Sequence, residues 1–377
     1  ALSLRERLRA AAPPSGARPA GEQLPLVGRE QALAALLAAV DEARAGGGSA
    51  VVLAGAAGAG KSRLLRELAR AAALRGCTVV RVGDPRPASG APGVLAALAA
   101  GLCDAPGALG GDPTELVLAR RLASSAGHEL ERGPDPRRAA AERRALIELV
   151  DAVAEEEPLV LCLDAVDPAA PGVGAMLALL AEAAPGRPIL VLLATRPAGL
   201  PALARRLGGA IRIHPLPPLD DEAAERLVRE AMRDAAPAAV PDAADVAWCM
   251  RLGAGSPHAL AELARSCTGR SEGRPGEEAE VGDAAAVGAR RGARRVPPTL
   301  RALVETRVDV LRPRARQLLA AIAALGGSAT PERLRIALEL PTHALLGAID
   351  ELVRAELLTA RGAALAVADP LTDAVLR

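Results

Sequence analysis

Apolar residues along the chain switch repeatedly between two spacings. At 29–44, Leu33, Leu36, Leu37 and Val40 recur three and four residues apart, which predicts a helix ended by Gly46-Gly47-Gly48. Ser49–Ala54 is instead a short continuous apolar run, 55–62 is glycine-rich, and 63–74 returns to the helical period. That order predicts strand, loop, helix. A second strand is expected at 77–82, and Ala-rich helices around 94–102, 114–122 and 137–156. Leu159–Leu163 and 189–194 are further apolar runs, opening onto Asp164 and onto Thr195-Arg196, and 210–213 is a shorter one. Apolar runs alternating with helices predict an α/β fold whose parallel sheet is covered on both faces.

After Pro217-Pro218 the pattern becomes purely helical, at 220–233, 241–250 and 257–267, and reads as a separate helical subdomain. The stretch 268–298 has no apolar period and is rich in Gly, Ala, Arg and Glu, which predicts a flexible linker. Its pairs Arg290-Arg291 and Arg294-Arg295 form a basic patch, read as solvated charge. Three helical patterns follow at 299–325, 331–339 and 343–355. Leu357-Leu358 and 365–367 then flank Arg361-Gly362, the signature of a hairpin. Three helices and a hairpin predict a winged-helix domain over 299–377. Residues 1–25 read as a linker or the tail of an upstream domain.

At 377 residues, half of them apolar, the chain has material for two or three cores, by a prior of roughly 150 residues per domain. A net charge of +1 gives no overall pull toward nucleic acid or an anionic membrane. There is no Phe, Tyr or Asn, a single tryptophan (Trp248) and a single lysine, Lys61. The pattern is that of a GC-rich coding bias. With Trp248 in place of any Phe or Tyr, binding of single-stranded nucleic acid by stacked aromatics is effectively excluded. Five scattered cysteines and four scattered histidines show no metal-ligand or disulfide spacing, and predict buried thiols in a reducing cytosol. Cys162 is expected inside a strand, Trp248 as a core anchor, and His214 as a loop residue. The longest uncharged stretch, 87–103, is broken by Pro and Gly and too short to span a bilayer. No basic-then-apolar leader opens the chain, so a cytoplasmic location is expected. The stop at Arg377 reads as the end of a segment of a larger protein.

The strongest chemical signal is Gly55-Ala56-Ala57-Gly58-Ala59-Gly60-Lys61-Ser62, which fits G-x4-G-K-[ST] between an expected strand and an expected helix. In such a P-loop, glycines let backbone N–H groups turn around phosphates, and the helix directs its positive end at them. Lys61 supplies a point charge to the β/γ-phosphates and the Ser62 hydroxyl completes a Mg²⁺ shell; Arg63 adjoins them. The one lysine of the chain falls where arginine geometry would not serve. Asp164, at the end of an apolar strand, is the expected second Mg²⁺ partner. Thr195 and Arg196 are candidates for contact with the γ-phosphate or attacking water and for charge stabilisation. A plain strand-end role fits both equally.

Leu26-Val27-Gly28-Arg29-Glu30, the P-loop, the Asp164 strand, Leu193-Ala194-Thr195-Arg196-Pro197 and Gly255-Ser256-Pro257, in that order, resemble the STAND class of signalling ATPases. More narrowly, they resemble the AAA-type ATPase module of large LuxR-family bacterial transcriptional regulators and of related kinase- and cyclase-linked regulators. Leu311 to Leu358 resembles the winged-helix segment that follows that core, and Asp369-Pro370-Leu371 its closing segment. The resemblance implies an ATPase core at 26–217, a helical lid at 218–267 and a winged helix packed over the nucleotide, closed with ADP and open for self-association with ATP. It also implies that Val27, Gly28 and Arg29 lie near the adenine and ribose, and that Pro257 contacts the nucleotide.

Departures from the family pattern bear on turnover. Ala165 stands where a second acidic residue usually follows the metal-coordinating Asp, and that carboxylate polarises the attacking water, an effect of about 100- to 10,000-fold. Asp167-Pro168 replaces the usual His-Trp, and Ser256 and His258 replace an Asn and a Phe. Nucleotide binding with slow or absent hydrolysis is therefore expected. Three functions fit: a nucleotide-dependent switch in a regulator, a degenerate nucleotide-binding scaffold, and an active loader or remodelling NTPase. The expected partners are nucleotide and a protein, or a second copy of the chain. The expected recognition helix at 343–356 carries Asp350, Glu351 and Glu356 against Arg354, so direct DNA contact from this segment is not expected, nor is membrane contact.

Overall fold

The structure, a computed structural model, describes residues 24–83, 91–124, 136–164, 173–208, 211–237, 240–268 and 294–377. The expected tail at 1–23, most of the expected linker (269–293), and Ala165, Asp167 and Pro168 lie outside the described residues. The chain divides into two units, 29–217 and 218–377, the second joined by 24–28.

In the first unit α1 (Glu30–Arg44) leads into β1 (Ser49–Ala54), then α2 (Lys61–Leu74) and β2 (Thr78–Val82). There follow α3 (Ala91–Cys103), α4 (Pro113–Ser124), α5 (Pro136–Glu156), β3 (Leu159–Leu163), α6 (Val173–Ala183), β4 (Ile189–Thr195), α7 (Leu200–Leu207) and β5 (Ile211–Pro215). The five strands form a sheet in the order β2-β3-β4-β1-β5 with every pair parallel. β3 and β4 are buried along their whole length, which is why they read as continuous apolar runs instead of alternating ones. Leu159, Leu161 and Leu163 of β3, with Ile189, Val191 and Leu193 of β4, point to one face and pack with α3, α4, α5 and α6. α1 and α2 pack against the sheet as well, α1 on β4 and α2 on β2 and β3.

α6 is a helix that periodicity does not reveal: Val-Gly-Ala-Met-Leu-Ala-Leu-Leu-Ala-Glu-Ala is apolar nearly all round. It is buried through Met176, Leu177 and Leu180, so no polar stripe is needed.

The second unit opens with α8 (Asp221–Ala235), α9 (Ala243–Gly253) and α10 (Pro257–Thr268). Asp220 Oδ1 accepts from Ala223 N at 2.8 Å and Asp242 Oδ1 from Ala244 N at 3.2 Å, so two of these helices start on a capping carboxylate. Leu227, Val228, Trp248, Leu260 and Leu263 make their common core, joined by Leu300 and Leu371 from later helices. Trp248 is buried there, an anchor as its sequence setting predicts.

The pattern at 299–325 resolves into two helices, α11 (Pro298–Asp309) and α12 (Pro313–Ala324). Pro313 lacks the N–H that a continuing helix would need and instead opens a new one at its first position. β6 (Ser328–Ala329), α13 (Pro331–Ala337), α14 (Thr342–Arg354), β7 (Leu358–Arg361), β8 (Ala364–Val367) and α15 (Pro370–Leu376) complete the chain. β7 and β8 are the expected hairpin, turning at Gly362 (φ +63°), and β6 adds a third antiparallel strand beside β8. Leu318, Leu319, Ile322, Leu334, Leu345 and Leu352 bury one face of each helix against this small sheet.

Candidate nucleotide-binding site

The loop after β1 is shaped by glycines at positions where a side chain has no room or no allowed backbone. A Cβ on Gly55 would lie 3.0 Å from the Leu216 carbonyl oxygen and 3.2 Å from Ala59 Cβ. Gly58 (φ +76°) and Gly60 (φ +92°) take the left-handed conformation that other residues resist. Gly60 is the residue before α2 and has no side chain with which to cap it, and the first turn of α2 borders the loop. Lys61 reaches back along its own loop, its Nζ donating to the carbonyls of Gly55 at 2.7 Å and Ala56 at 2.8 Å. Ser62 is exposed in the first turn of α2, and Arg63 is half-buried.

The strand order sets two more groups beside this loop. β4 lies between β1 and β3, with Ala54 opposite Thr195 and Leu163 opposite Leu193. Asp164, one residue past Leu163, therefore stands at the same carboxyl edge of the sheet, where open α/β sheets bind ligands. Its N–H donates to the Val82 carbonyl at 2.8 Å, which fixes the backbone while the carboxylate stays half-buried. Thr195 is buried; its carbonyl accepts from Gly55 N at 3.2 Å and its hydroxyl donates to the Arg196 carbonyl at 3.3 Å. Arg196 is exposed.

Arg29 belongs to the same unit and is buried. Its Nη2 donates to the Pro217 carbonyl at 2.6 Å and to the Ala59 carbonyl at 3.3 Å, so one guanidinium ties the phosphate-type loop to the chain after β5. Leu216 N donates to Ala54 O at 2.6 Å and closes the same wall. Leu216 and Pro217 carry no sequence signature, because both act through backbone groups. The residues ahead of Arg29 pack within the second unit. Val27 is buried in the core of the second unit, and a Cβ on Gly28 (φ +66°) would lie 2.7 Å from Ala223 Cβ and 2.8 Å from Leu219 Cδ2. Pro257 opens α10 in that unit.

The groups of the first unit suit a Mg²⁺–nucleotide. Left-handed glycines, a helix start and an ammonium match a polyphosphate, and a hydroxyl with one carboxylate is the oxygen set by which Mg²⁺ is held beside phosphate oxygens. No group of three or more His, Cys, Asp or Glu capable of holding a metal occurs among the described residues.

Residues 25–193 match the AAA ATPase domain. No curated protein matches the chain in sequence. Among solved structures, a Walker-type ATPase of Pyrococcus abyssi is similar at 19% identity over 96% of this chain and 99% of its own, with a TM-score of 0.59. A Signal Transduction ATPase with Numerous Domains (STAND) protein with a tetratricopeptide repeat sensor, from Pyrococcus horikoshii, aligns at 15% identity with a TM-score of 0.36. That alignment covers 97% of this chain but only 44% of the STAND protein. RuvB of Thermotoga maritima aligns at 18% identity over 90% of this chain and 92% of its own, with a TM-score of 0.41. The chain thus shares the fold of that Walker-type ATPase, and its residues 25–193 are similar to the AAA ATPase domain.

Proposed function

We propose that the chain is the ATP-binding module of a STAND-type signalling ATPase, a nucleotide-dependent switch of the kind found in large LuxR-family bacterial transcriptional regulators. The observation that carries the reading is the loop after β1, with its left-handed glycines, uncapped helix start and single lysine, standing beside the strand ends that bear Asp164 and Thr195. With nucleotide bound, Lys61 leaves the Gly55 and Ala56 carbonyls for the β/γ-phosphates, and the N–H groups of 58–62 surround them. Ser62 and Asp164 would hold Mg²⁺, which would supply charge neutralisation across the phosphates. Arg29 keeps the loop in shape from behind. Thr195 and Arg196 face the terminal phosphate.

In this reading α8, α9 and α10 form the lid, with Pro257 as its nucleotide contact, and α12, α13 and α14 with the β7–β8 hairpin form a winged helix. Val27 and Gly28 couple the lid to the nucleotide's base side. Exchange of ADP for ATP frees surfaces for a protein partner or a second copy. DNA is not the direct partner of this segment: α14 offers Arg354, 3.7 Å from Asp350, as its only cation beside Glu351. No helix among the described residues is long and apolar enough to cross a membrane, and a cytoplasmic setting suits five thiols. With Ala165 in place of an acid, hydrolysis is slow or absent.

The test is to incubate the purified chain with Mg·ATP, remove free nucleotide, denature, and identify what stays bound. Intact ATP supports the switch. Stoichiometric ADP assigns turnover to another group and favours a working loader or remodelling NTPase, and an empty protein overturns the reading. A degenerate scaffold is the second reading, favoured by the departures at Ala165, Pro168 and His258. It predicts identical sedimentation of the ATP- and ADP-loaded chain, whereas a switch predicts two different values.

A further inference from the structure

Cys249 lies in α9 and Cys267 in the last turn of α10, and their Sγ atoms stand 3.9 Å apart. Cys249 is fully buried and Cys267 half-buried. Arg294 Nε donates to Asp245 Oδ1 at 2.8 Å, and the charges of this ion pair act on the thiols. The hydrogen bond to Cys267, and after it burial, raises the Cys249 thiol far above its ordinary range. Cys77 and Cys162, in the other unit, are pushed by burial up to about 11 and about 12, and pack as inert small hydrophobes.

We propose that Cys249 and Cys267 are a thiol-redox site of the helical subdomain, closed to a reversible disulfide by a peroxide. The half-buried Cys267 reacts first. Its thiolate attacks one peroxide oxygen, the O–O bond breaks, and Cys267 becomes a sulfenic acid as water leaves. The Cys249 sulfur then attacks the Cys267 sulfur, and the sulfenic hydroxyl departs as a second water with the Cys249 proton. Two thiols lose two electrons and the peroxide gains them. A disulfide needs the sulfurs at about 2.05 Å, so they must approach by roughly 2 Å. Cys267 sits one residue from the end of its helix, where rotation about its side chain and a small adjustment of the last turn suffice. The link spans 18 positions and holds α9 to the end of α10, restricting the unfolded chain. Neither sulfur is needed for phosphate contact, so the site stands whether or not the chain is a switch.

The experiment is hydrogen peroxide treatment of the full chain, alkylation under denaturing conditions, and non-reducing peptide mapping, with thermal melts alongside. The expected result is a Cys249–Cys267 linked peptide that dithiothreitol removes, five alkylatable thiols falling to three, and a melting midpoint raised by about 5 °C. Cys267→Ser should abolish both the link and the shift. Sulfinic or sulfonic acid at Cys267 with Cys249 still alkylatable overturns the proposal, as does an unchanged peroxide-dependent shift in Cys267→Ser. If that variant does not fold, the map of the native chain decides alone.

Discussion

The loop after β1 and the strand ends after β3 and β4 share one edge of one sheet, yet they are built differently. The loop is built mostly from backbone: a Cβ on Gly55 would crowd Leu216 and Ala59, and Gly58 and Gly60 hold the left-handed turn, which suits binding through N–H groups. Its one essential side chain, Lys61, is the only lysine of the chain. The strand ends work through side chains, and there the sequence has drifted: Asp164 is followed by Ala165, and the Thr195 hydroxyl is spent on a neighbouring carbonyl. If the proposed reading holds, nucleotide binding and turnover are separable in this protein.

The hardest way to break that contrast is Lys61→Ala. It removes the ammonium proposed to meet the β/γ-phosphates and should weaken Mg·ATP binding at least 100-fold, about 2.7 kcal/mol, read by calorimetric titration. Unchanged affinity would remove the phosphate-site assignment altogether. Ala165→Glu tests the other half. Restoring a carboxylate after Asp164 should raise phosphate release about 100-fold, the low end of general-base effects, while nucleotide affinity stays within a few-fold. A variant that binds as before and turns over no faster would show that the missing acid does not limit hydrolysis.

What the sequence disclosed follows the same division. The P-loop is local and motif-like, so all its residues are legible from the order of amino acids alone. β3 and β4 are legible because a strand buried on both faces must be apolar throughout. α6 is hidden by that very rule, since a helix buried nearly all round has no period to read. The split between α11 and α12 is written in Pro313, but the apolar period runs on across it through Leu311 and Leu318. The parting of Val27 and Gly28 from Arg29 is invisible for another reason. Neighbours in one short motif pack into different units, and no local pattern encodes which core claims each residue.

Arg29 sharpens the comparison, because it is a side chain serving a backbone site. Arg29→Leu keeps the bulk but leaves the Ala59 and Pro217 carbonyls without their donor, and should weaken nucleotide binding about 10-fold. Arg29→Lys should restore little of this, since one ammonium on a flexible stem does not reproduce the reach of a planar guanidinium. Full rescue by lysine would mean that charge, not geometry, holds the loop.

Thr195→Val should have the smallest effect. Valine preserves the shape of a buried strand end and removes only a hydroxyl whose hydrogen bond, at 3.3 Å, goes to the next residue's carbonyl. If turnover is already limited by Ala165, loss of that hydroxyl should change phosphate release by less than about 3-fold and the melting midpoint by under about 3 °C. In the Ala165→Glu background the same substitution should cost about 10-fold, because a hydroxyl that positions water matters only once water is activated. Equal effects in the two backgrounds would make Thr195 a plain strand end, and the erosion beside the P-loop would then extend across β4 as well as β3.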